Sequence, residues 1–221
     1  MNLVLTAIET RVLGCLLEKE TTTPDNYPLT LNALVNACNQ KSSRNPLMSL
    51  GETDVVRAID SLRDKRLVST RHSSGSRVPK YAHEFQIVCD FTPAERATLC
   101  ALMLRGPLTG GEIRSCTASQ HKFSSLEEVE LTLQQLVERG DGPFVMKLPR
   151  QAGRKESRFA HLFCGAVEVD DAAAVPSPEP ATLAVRAEDE RMQSLEQQVA
   201  ALRAEVEQLR IRVEGIDKPI L

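Results

Sequence analysis

The sequence repeats one order of landmarks twice within its first 165 residues, and this duplication is the strongest constraint on the fold. Thr6-Ala7-Ile8-Glu9 and Thr92-Pro93-Ala94-Glu95 share the T-x-x-E pattern of a capping box, which satisfies free amides at a helix start. An apolar stripe at helical spacing follows each box. Residues 75–83 and 153–161 share the pattern G-x-[R/K]-x-x-[K/R]-[Y/F]-A-H. We therefore expect two similar modules.

In each copy the sequence pattern predicts two further helices and a β-hairpin. The second helices open at Pro28-Leu29-Thr30 and at Pro107-Leu108-Thr109. A further capping box, Ser125-Leu126-Glu127-Glu128, precedes the third helix of the second copy. Strands are predicted at residues 67–70 and 144–147, each followed by a glycine-bearing turn and a second strand. The inward apolar positions of these helices are Leu34, Ile113, Val55, Ile59, Leu62, Val129, Leu133 and Leu136.

The order helix, helix, helix, strand, turn, strand is that of a winged helix, in which a β-hairpin follows a helix-turn-helix. We therefore predict a mainly α protein with small β-hairpins, of the α+β class. It consists of two tandem winged-helix domains, residues 1–90 and 91–165, followed by a C-terminal coiled-coil helix. A chain of 221 residues is long enough to give each domain its own core.

The C-terminal part has a different composition. Residues 166–186 are rich in Pro and Ala and predict a linker. Residues 187–221 carry a heptad repeat whose β-branched and leucine positions favour a parallel two-stranded coiled coil, and hence a homodimer. The alternative is an amphipathic helix that folds back on the chain's own domains. The residues assigned to dimerisation are Leu195, Val199, Leu202, Val206, Leu209 and Val213.

Positive charge is concentrated around the two predicted hairpins, although the whole chain has a net charge of −3. Residues 57–80 hold seven cations against two carboxylates, and residues 147–158 hold five against one. Such concentrations suit a surface that faces phosphates. The alternative is a solvated hairpin with long polar side chains. The candidate nucleic-acid contacts are Lys41, Arg44, Arg57, Arg77, Lys80, Arg150, Arg154 and Lys155.

The leading hypothesis is a dimeric DNA-binding protein, transcriptional or architectural, that uses its basic wings and the third helix of its first domain. Its partners would be double-stranded DNA and a second copy of the chain. Glu52 and Asp54 weaken this hypothesis because they would repel phosphates at the start of that helix. Four glutamates also make the third helix of the second copy acidic. The alternative is a winged-helix scaffold that binds a protein partner without contacting DNA.

No pattern of known enzyme chemistry is present. The sequence lacks a phosphate-binding G-x-x-x-x-G-K-[S/T], the nucleophile pattern G-x-S-x-G and the zinc pattern H-E-x-x-H. The six cysteines form no C-x-x-C pair, so we expect buried free thiols, with a zinc site as a weak alternative. We expect no catalytic activity, cofactor or metal.

The start of the chain is a poor match to a signal peptide, because no Lys or Arg precedes its short apolar stretch and Glu9 follows at once. No apolar run approaches the roughly 18 residues of a membrane span. We expect a cytoplasmic protein without a membrane partner.

His83 and His161 occupy equivalent positions in the repeated hairpin pattern. A repeated position favours a structural role, such as a hydrogen bond to the backbone, over catalysis. Residues 23–28 are rich in Pro and turn formers, which favours a role in fixing the path between the first two helices. Presentation of a binding surface is the alternative for this segment.

One long motif resembles the bacterial YceH family of uncharacterised proteins. It comprises residues 18–34, EKETTTPDNYPLTLNAL, and continues through Ala37-Cys38-Asn39-Gln40-Lys41-Ser42. Residues 148–162 are similar to a second motif of that family. The resemblance covers about residues 3–165. It implies two winged-helix domains and a cytoplasmic bacterial protein, but it implies no activity.

Overall fold

The computed structural model describes residues 3–72, 78–88, 90–151, 153 and 156–165. All of them belong to a compact unit that extends to Asp170. The Pro/Ala-rich segment and the heptad residues assigned to dimerisation lie outside the described residues. The coiled coil and the homodimer therefore stay predictions.

The first copy begins with helix α1 (Ala7–Thr22), followed by a 3₁₀ turn (Pro24–Asn26) and a short strand β1 (Leu29–Thr30). Helices α2 (Leu31–Cys38) and α3 (Glu52–Asp64) come next. Strands β2 (Val68–Arg71) and β3 (Lys80–His83) and a single helical turn, α4 (Phe85–Val88), complete it.

The second copy repeats this order from helix to hairpin. Helix α5 (Pro93–Arg105) corresponds to α1, and α6 (Gly110–Cys116) corresponds to α2. Helix α7 (Leu126–Glu138) precedes strands β4 (Val145–Lys147) and β5 (Phe159–His161). The predicted α+β class is confirmed.

The predicted helix starts are confirmed at atomic detail in α1 and α5. The hydroxyl of Thr6 accepts from the amide of Glu9, and the Glu9 carboxylate accepts from the amide of Thr6 at 2.6 Å. Thr92 and Glu95 form the same reciprocal pair. At α7 only half of the predicted box forms. Ser125 caps the helix, but the Glu128 carboxylate accepts from Ser124 instead of from the cap residue.

The β-strands of the two copies pair in equivalent ways. In the first copy β3 lies between β1 and β2, and both pairings are antiparallel. Leu29 of β1 pairs with Tyr81 of β3, and in the second copy Leu108 forms an isolated bridge with Phe159 of β5. Tyr81 and Phe159 are the aromatic residues of the repeated hairpin pattern. The sequence did not predict the β1 pairing, but it repeats at matching positions.

One continuous apolar core runs through both copies. The predicted inward residues are buried in it, including Leu34, Val55, Ile113 and Val129. Helix α1 packs against α5 at Gly14, where an added Cβ would lie 2.9 Å from the Leu104 side chain. The first helices of the two copies therefore approach closely at a position where a larger side chain would collide.

Candidate nucleic-acid interface

The first hairpin places a cation beside the start of α2, at the end of its ladder next to the turn. Lys80 pairs across the sheet with Arg71 on one side and with Thr30 on the other. Thr30 is the residue that caps α2, whose first amides carry the positive end of the helix dipole. Two cations directly opposite each other repel. Arg71 is compensated by an ion pair with Glu84, whereas Lys80 makes no ion pair within the described part of the chain.

Lys41 and Arg57 are exposed cations, whereas Lys80 is partly buried. Helix α3 buries Val55, Ala58 and Ile59, and this packing directs Arg57 to the solvent side. Lys41 lies in the exposed loop between α2 and α3. Among the residues that the structure describes, neither side chain has a carboxylate partner within 4.0 Å. Both cations are therefore available to an external anion.

Carboxylates share the exposed side of α3 with Arg57. Glu52, Asp60 and Asp64 are exposed, and Asp60 lies 3.4 Å from Arg63. Asp54 is engaged at the helix start, where its carboxylate accepts from the amide of Gly51. The surface of α3 is therefore mixed in charge. The positive charge of the candidate interface comes mainly from the flanking loop and hairpin.

Arg44 lies inside the protein, unlike Lys41 and Arg57. Its side chain is fully buried and forms a two-pronged ion pair with Glu18, with nitrogen–oxygen distances of 3.1 and 2.6 Å. It also donates to the carbonyl of Ala37 and to the side chain of Gln40. Burial alone would lower the pKa of Arg44, but the bonds to Glu18 raise it on balance. Arg44 therefore joins α1 to the loop after α2, and we remove it from the candidate interface.

Of the remaining candidates the structure describes only Arg150. Arg150 is exposed after β4. Gly153 lies in the turn between β4 and β5 with φ +78°, a left-handed conformation that favours glycine. Arg77, Arg154 and Lys155 lie outside the described residues, so their inclusion in the interface stays a prediction.

The exposed side of α7 carries the opposite charge. Its exposed residues include Glu127, Glu130 and Glu138, and the helix contains no Lys or Arg. The equivalent helix of the first copy contains Arg57 and Arg63. The two third helices are therefore chemically different surfaces on similar frameworks.

Comparison with known proteins assigns the chain to a family. A family model described as "Protein of unknown function, DUF480" matches residues 5–154. The chain belongs to the DUF480 family. It is 47% identical to a UPF0502 protein of Vibrio atlanticus over 223 residues, which cover 98% of this chain and all of the relative. UPF0502 proteins of Geotalea uraniireducens and Geobacter sulfurreducens are 52% and 51% identical, covering 90% and 91% of each chain.

In this DUF480 protein the motif around residues 18–34 has a structural function. The hydroxyl of Tyr27 accepts from the amide of His83 at 2.7 Å, and Glu20 lies 2.8 Å from Nε2 of the same histidine. Burial raises the pKa of Tyr27. These bonds attach the end of β3 to α1 and to the 3₁₀ turn. They support the interpretation that this segment fixes the path of the chain.

The two equivalent histidines do not share one role, contrary to expectation. Nδ1 of His83 accepts from the amide of Phe85 at 3.4 Å, so this ring makes the expected bond to the backbone. Nδ1 of His161 is buried without a hydrogen-bond partner, and its ring lies 6.0 Å from that of Phe163. Burial lowers the pKa of His161 to about 4. Nε2 of His83 also faces Glu20, whereas no carboxylate pairs with His161 among the residues that the structure describes.

The cysteines follow the prediction only in part. Cys15, Cys38 and Cys100 are free and buried, whereas Cys164 is free and exposed. Cys89 lies outside the described residues. No group of three or more potential metal ligands occurs in the ranges that the structure describes. In the same ranges, no helix combines the length and hydropathy that a bilayer crossing requires.

Sequence reasoning missed a second buried arginine, Arg11. Its guanidinium donates to the carbonyls of Cys38 and Pro46 at 3.1 and 2.7 Å, and burial lowers its pKa. Arg11 lies in the apolar stripe of α1. Because a buried arginine is almost always paired or hydrogen-bonded, an arginine at this position predicts a paired or capping role. Arg11 therefore joins the end of α2 to the middle of the loop between α2 and α3, and this loop carries Lys41.

Proposed function

We propose that this DUF480 protein is a cytoplasmic, dimeric DNA-binding protein with a transcriptional or architectural role. Each copy would be a winged-helix module, since three helices precede a hairpin in both and the Leu29–Tyr81 and Leu108–Phe159 bridges are equivalent. Dimerisation would use the heptads of the C-terminal segment. Fold alone does not determine function, so the proposal rests on the charged surface of the first copy.

The observation that carries the proposal is the position of Lys80. It lies at the turn end of the first hairpin ladder, opposite both Arg71 and the residue that caps α2. In a winged helix, the hairpin and the helix-turn-helix approach the backbone of the same duplex. Lys80, the start of α2 and the flanking Lys41 would contact phosphates, and Arg57 would reach a phosphate or a base edge from α3.

A second candidate function is a protein-interaction scaffold that makes no direct contact with DNA. The acidic exposed side of α7 favours it, because phosphates would be repelled there. The two functions differ in which copy acts. DNA binding requires the cations of the first copy, whereas the scaffold requires neither Arg57 nor Lys80.

The test is duplex binding by the full chain and by the double variant Arg57→Glu with Lys80→Glu. A matched control, Arg114→Glu with Lys122→Glu, makes the same charge change at exposed positions of the second copy. We expect the first variant to lose more than about 90% of its duplex affinity. The reason is that two positive charges at phosphate contacts become negative, which changes the net charge by four units. The control should bind within a few-fold of the parent. Equal loss in both variants would leave the scaffold as the better account.

A further inference from the structure

A groove lies between the exposed side of α7 and the second hairpin. Its volume is about 520 Å³. One wall is formed by successive turns of α7, from Leu126 through Glu130 to Val137, and the other by Lys147 and Phe159 of the hairpin strands. Gly110, at the start of α6, closes one side. The third helix and the wing meet at this groove, so it is the part of the second copy best placed to hold an elongated ligand.

The groove is acidic on its rim. Glu130 and Glu138 project from α7, and Glu156 belongs to the hairpin loop. Lys147 is the cation among the residues that form the walls, and its amine lies 5.9 Å from the centre of the Phe159 ring. That position holds the amine against its own aromatic neighbour, where a cation–π contact stabilises it. Among the described residues that line the groove, three carboxylates therefore face one amine.

The apolar side chains of the two walls together form the floor of the groove. Leu126, Val137 and Phe159 contribute to it, and each is at least partly exposed although the side chain is large and hydrophobic. Val137 is 36% exposed. An apolar floor with a charged rim is typical of sites that anchor a peptide by one or two side chains and orient it by charge.

We propose that this groove binds a Lys/Arg-rich peptide segment of a protein partner, with an apolar side chain of the segment on the floor formed by Leu126, Val137 and Phe159. Charge complementarity decides the occupant. A phosphate backbone of DNA or RNA would meet three carboxylates, whereas ammonium and guanidinium groups would pair with them. The proposal does not depend on duplex binding by the first copy, because Arg57 and Lys80 take no part in the groove.

The test uses the full chain and two fluorescent synthetic peptides of about 12 residues, long enough to follow α7. One peptide carries both Lys and Leu, each at helical spacing. The other has Glu in place of every Lys. Binding is measured by fluorescence anisotropy for the parent and for Glu130→Gln with Glu138→Gln. The control variant, Glu52→Gln with Asp64→Asn, removes two exposed carboxylates from α3 of the first copy.

We expect the Lys peptide to bind and the Glu peptide not to bind. Removal of the two groove carboxylates should weaken the Lys peptide about fivefold, as expected for two partly exposed ion pairs, while the control variant stays within about twofold. Val137→Ser should weaken it as well, because it removes part of the floor. Equal affinities in the groove and control variants would overturn the proposal by showing general attraction to an acidic protein.

Duplex titrations without the peptide separate this proposal from the proposed function, because a Lys-rich peptide itself binds nucleic acids. If both hold, the duplex binds the parent and the variant Glu130→Gln with Glu138→Gln within about twofold of each other. If the Lys peptide binds but the duplex does not, the groove proposal stands and DNA binding fails. Loss of duplex or single-stranded RNA binding in Val137→Ser would contradict the groove proposal, since it would place a nucleic acid in the groove.

Discussion

Nζ of Lys65 lies 2.7 Å from Oε1 of Glu9, so the residue that follows α3 is bound to the first turn of α1. The second copy has the same relationship, with Arg139 after α7 placed 3.2 Å from Glu95 in the first turn of α5. In both copies the glutamate is the one that closes the capping box. Burial would raise the pKa of Glu9, but hydrogen bonds from Lys65, Ser61 and the amide of Thr6 lower it on balance.

Replacement of Lys65 should therefore destabilise the first copy. Lys65→Met leaves the buried Glu9 carboxylate without its cation, and we expect a loss of about 2 kcal/mol in the free energy of unfolding. The measurement is urea denaturation followed by circular dichroism. Arg63→Met is the matched control, because Arg63 pairs with Asp60 on the exposed surface and should cost less than about 0.5 kcal/mol. Equal losses would show that the Glu9–Lys65 pair does not join the helices.

The buried His161 predicts a pH dependence of stability. Its pKa in the folded protein is about 4, whereas an unfolded histidine titrates near 6.5. Between these values the unfolded chain binds the additional proton, so stability is complete above about pH 6.5 and falls as the pH is lowered toward 4. The loss attributable to this group is of the order of 3 kcal/mol.

The check is denaturation at a series of pH values for the parent and for His161→Gln. The variant should lose the part of the dependence that lies between about pH 4 and 6.5. Acid destabilisation below that window should remain, because the Glu9 pair is lost there by protonation of a carboxylate with a lowered pKa. An unchanged slope between the two values would mean that His161 is accessible to protons in the folded state.

Arg44 and Lys41, three residues apart, should respond differently to the same substitution. Arg44→Met leaves Glu18 without its buried partner, and we expect a loss of about 3 kcal/mol. Lys41→Met should leave stability within about 0.5 kcal/mol and reduce duplex affinity, because this cation is exposed. Thermal denaturation and duplex titration of both variants test this assignment. A stable Arg44→Met protein with weakened duplex binding would reverse it.

The heptads predict that the C-terminal segment controls the oligomeric state. Removal of residues 186–221 should give a folded monomer, because the described residues belong to a unit that ends before that segment. Sedimentation equilibrium of the full and shortened chains tests this expectation. A shortened protein that still sediments as a dimer would place the contact elsewhere.

Local signals predicted the helices of this protein accurately. A T-x-x-E box with an apolar stripe needs only residues that are close in sequence, and it correctly placed the starts of α1 and α5. Strand β1 escaped prediction because Leu29 and Thr30 are too few for an alternating pattern, and the strand exists only through its pairing with β3. The duplication, in contrast, was visible from sequence because both copies keep the same landmark order.

The candidate interface was less predictable because it depends on distant partners. The basic run that contains Arg44 looks like a surface loop, and only Glu18, 26 residues earlier, makes it a buried ion pair. The same limit applies to His83 and His161, which share a sequence pattern but have different neighbours. The position of Lys80 beside the start of α2 likewise required the sheet register.

The most direct test of DNA binding by the first copy is a titration of the full chain with a duplex of about 25 base pairs at several salt concentrations. If Lys41, Arg57, Lys80 and their counterparts in a dimer contact phosphates, six contacts predict an affinity that falls about a thousandfold between about 50 and 200 mM salt. No binding at the lowest salt concentration, or an affinity that does not change with salt, would contradict the account.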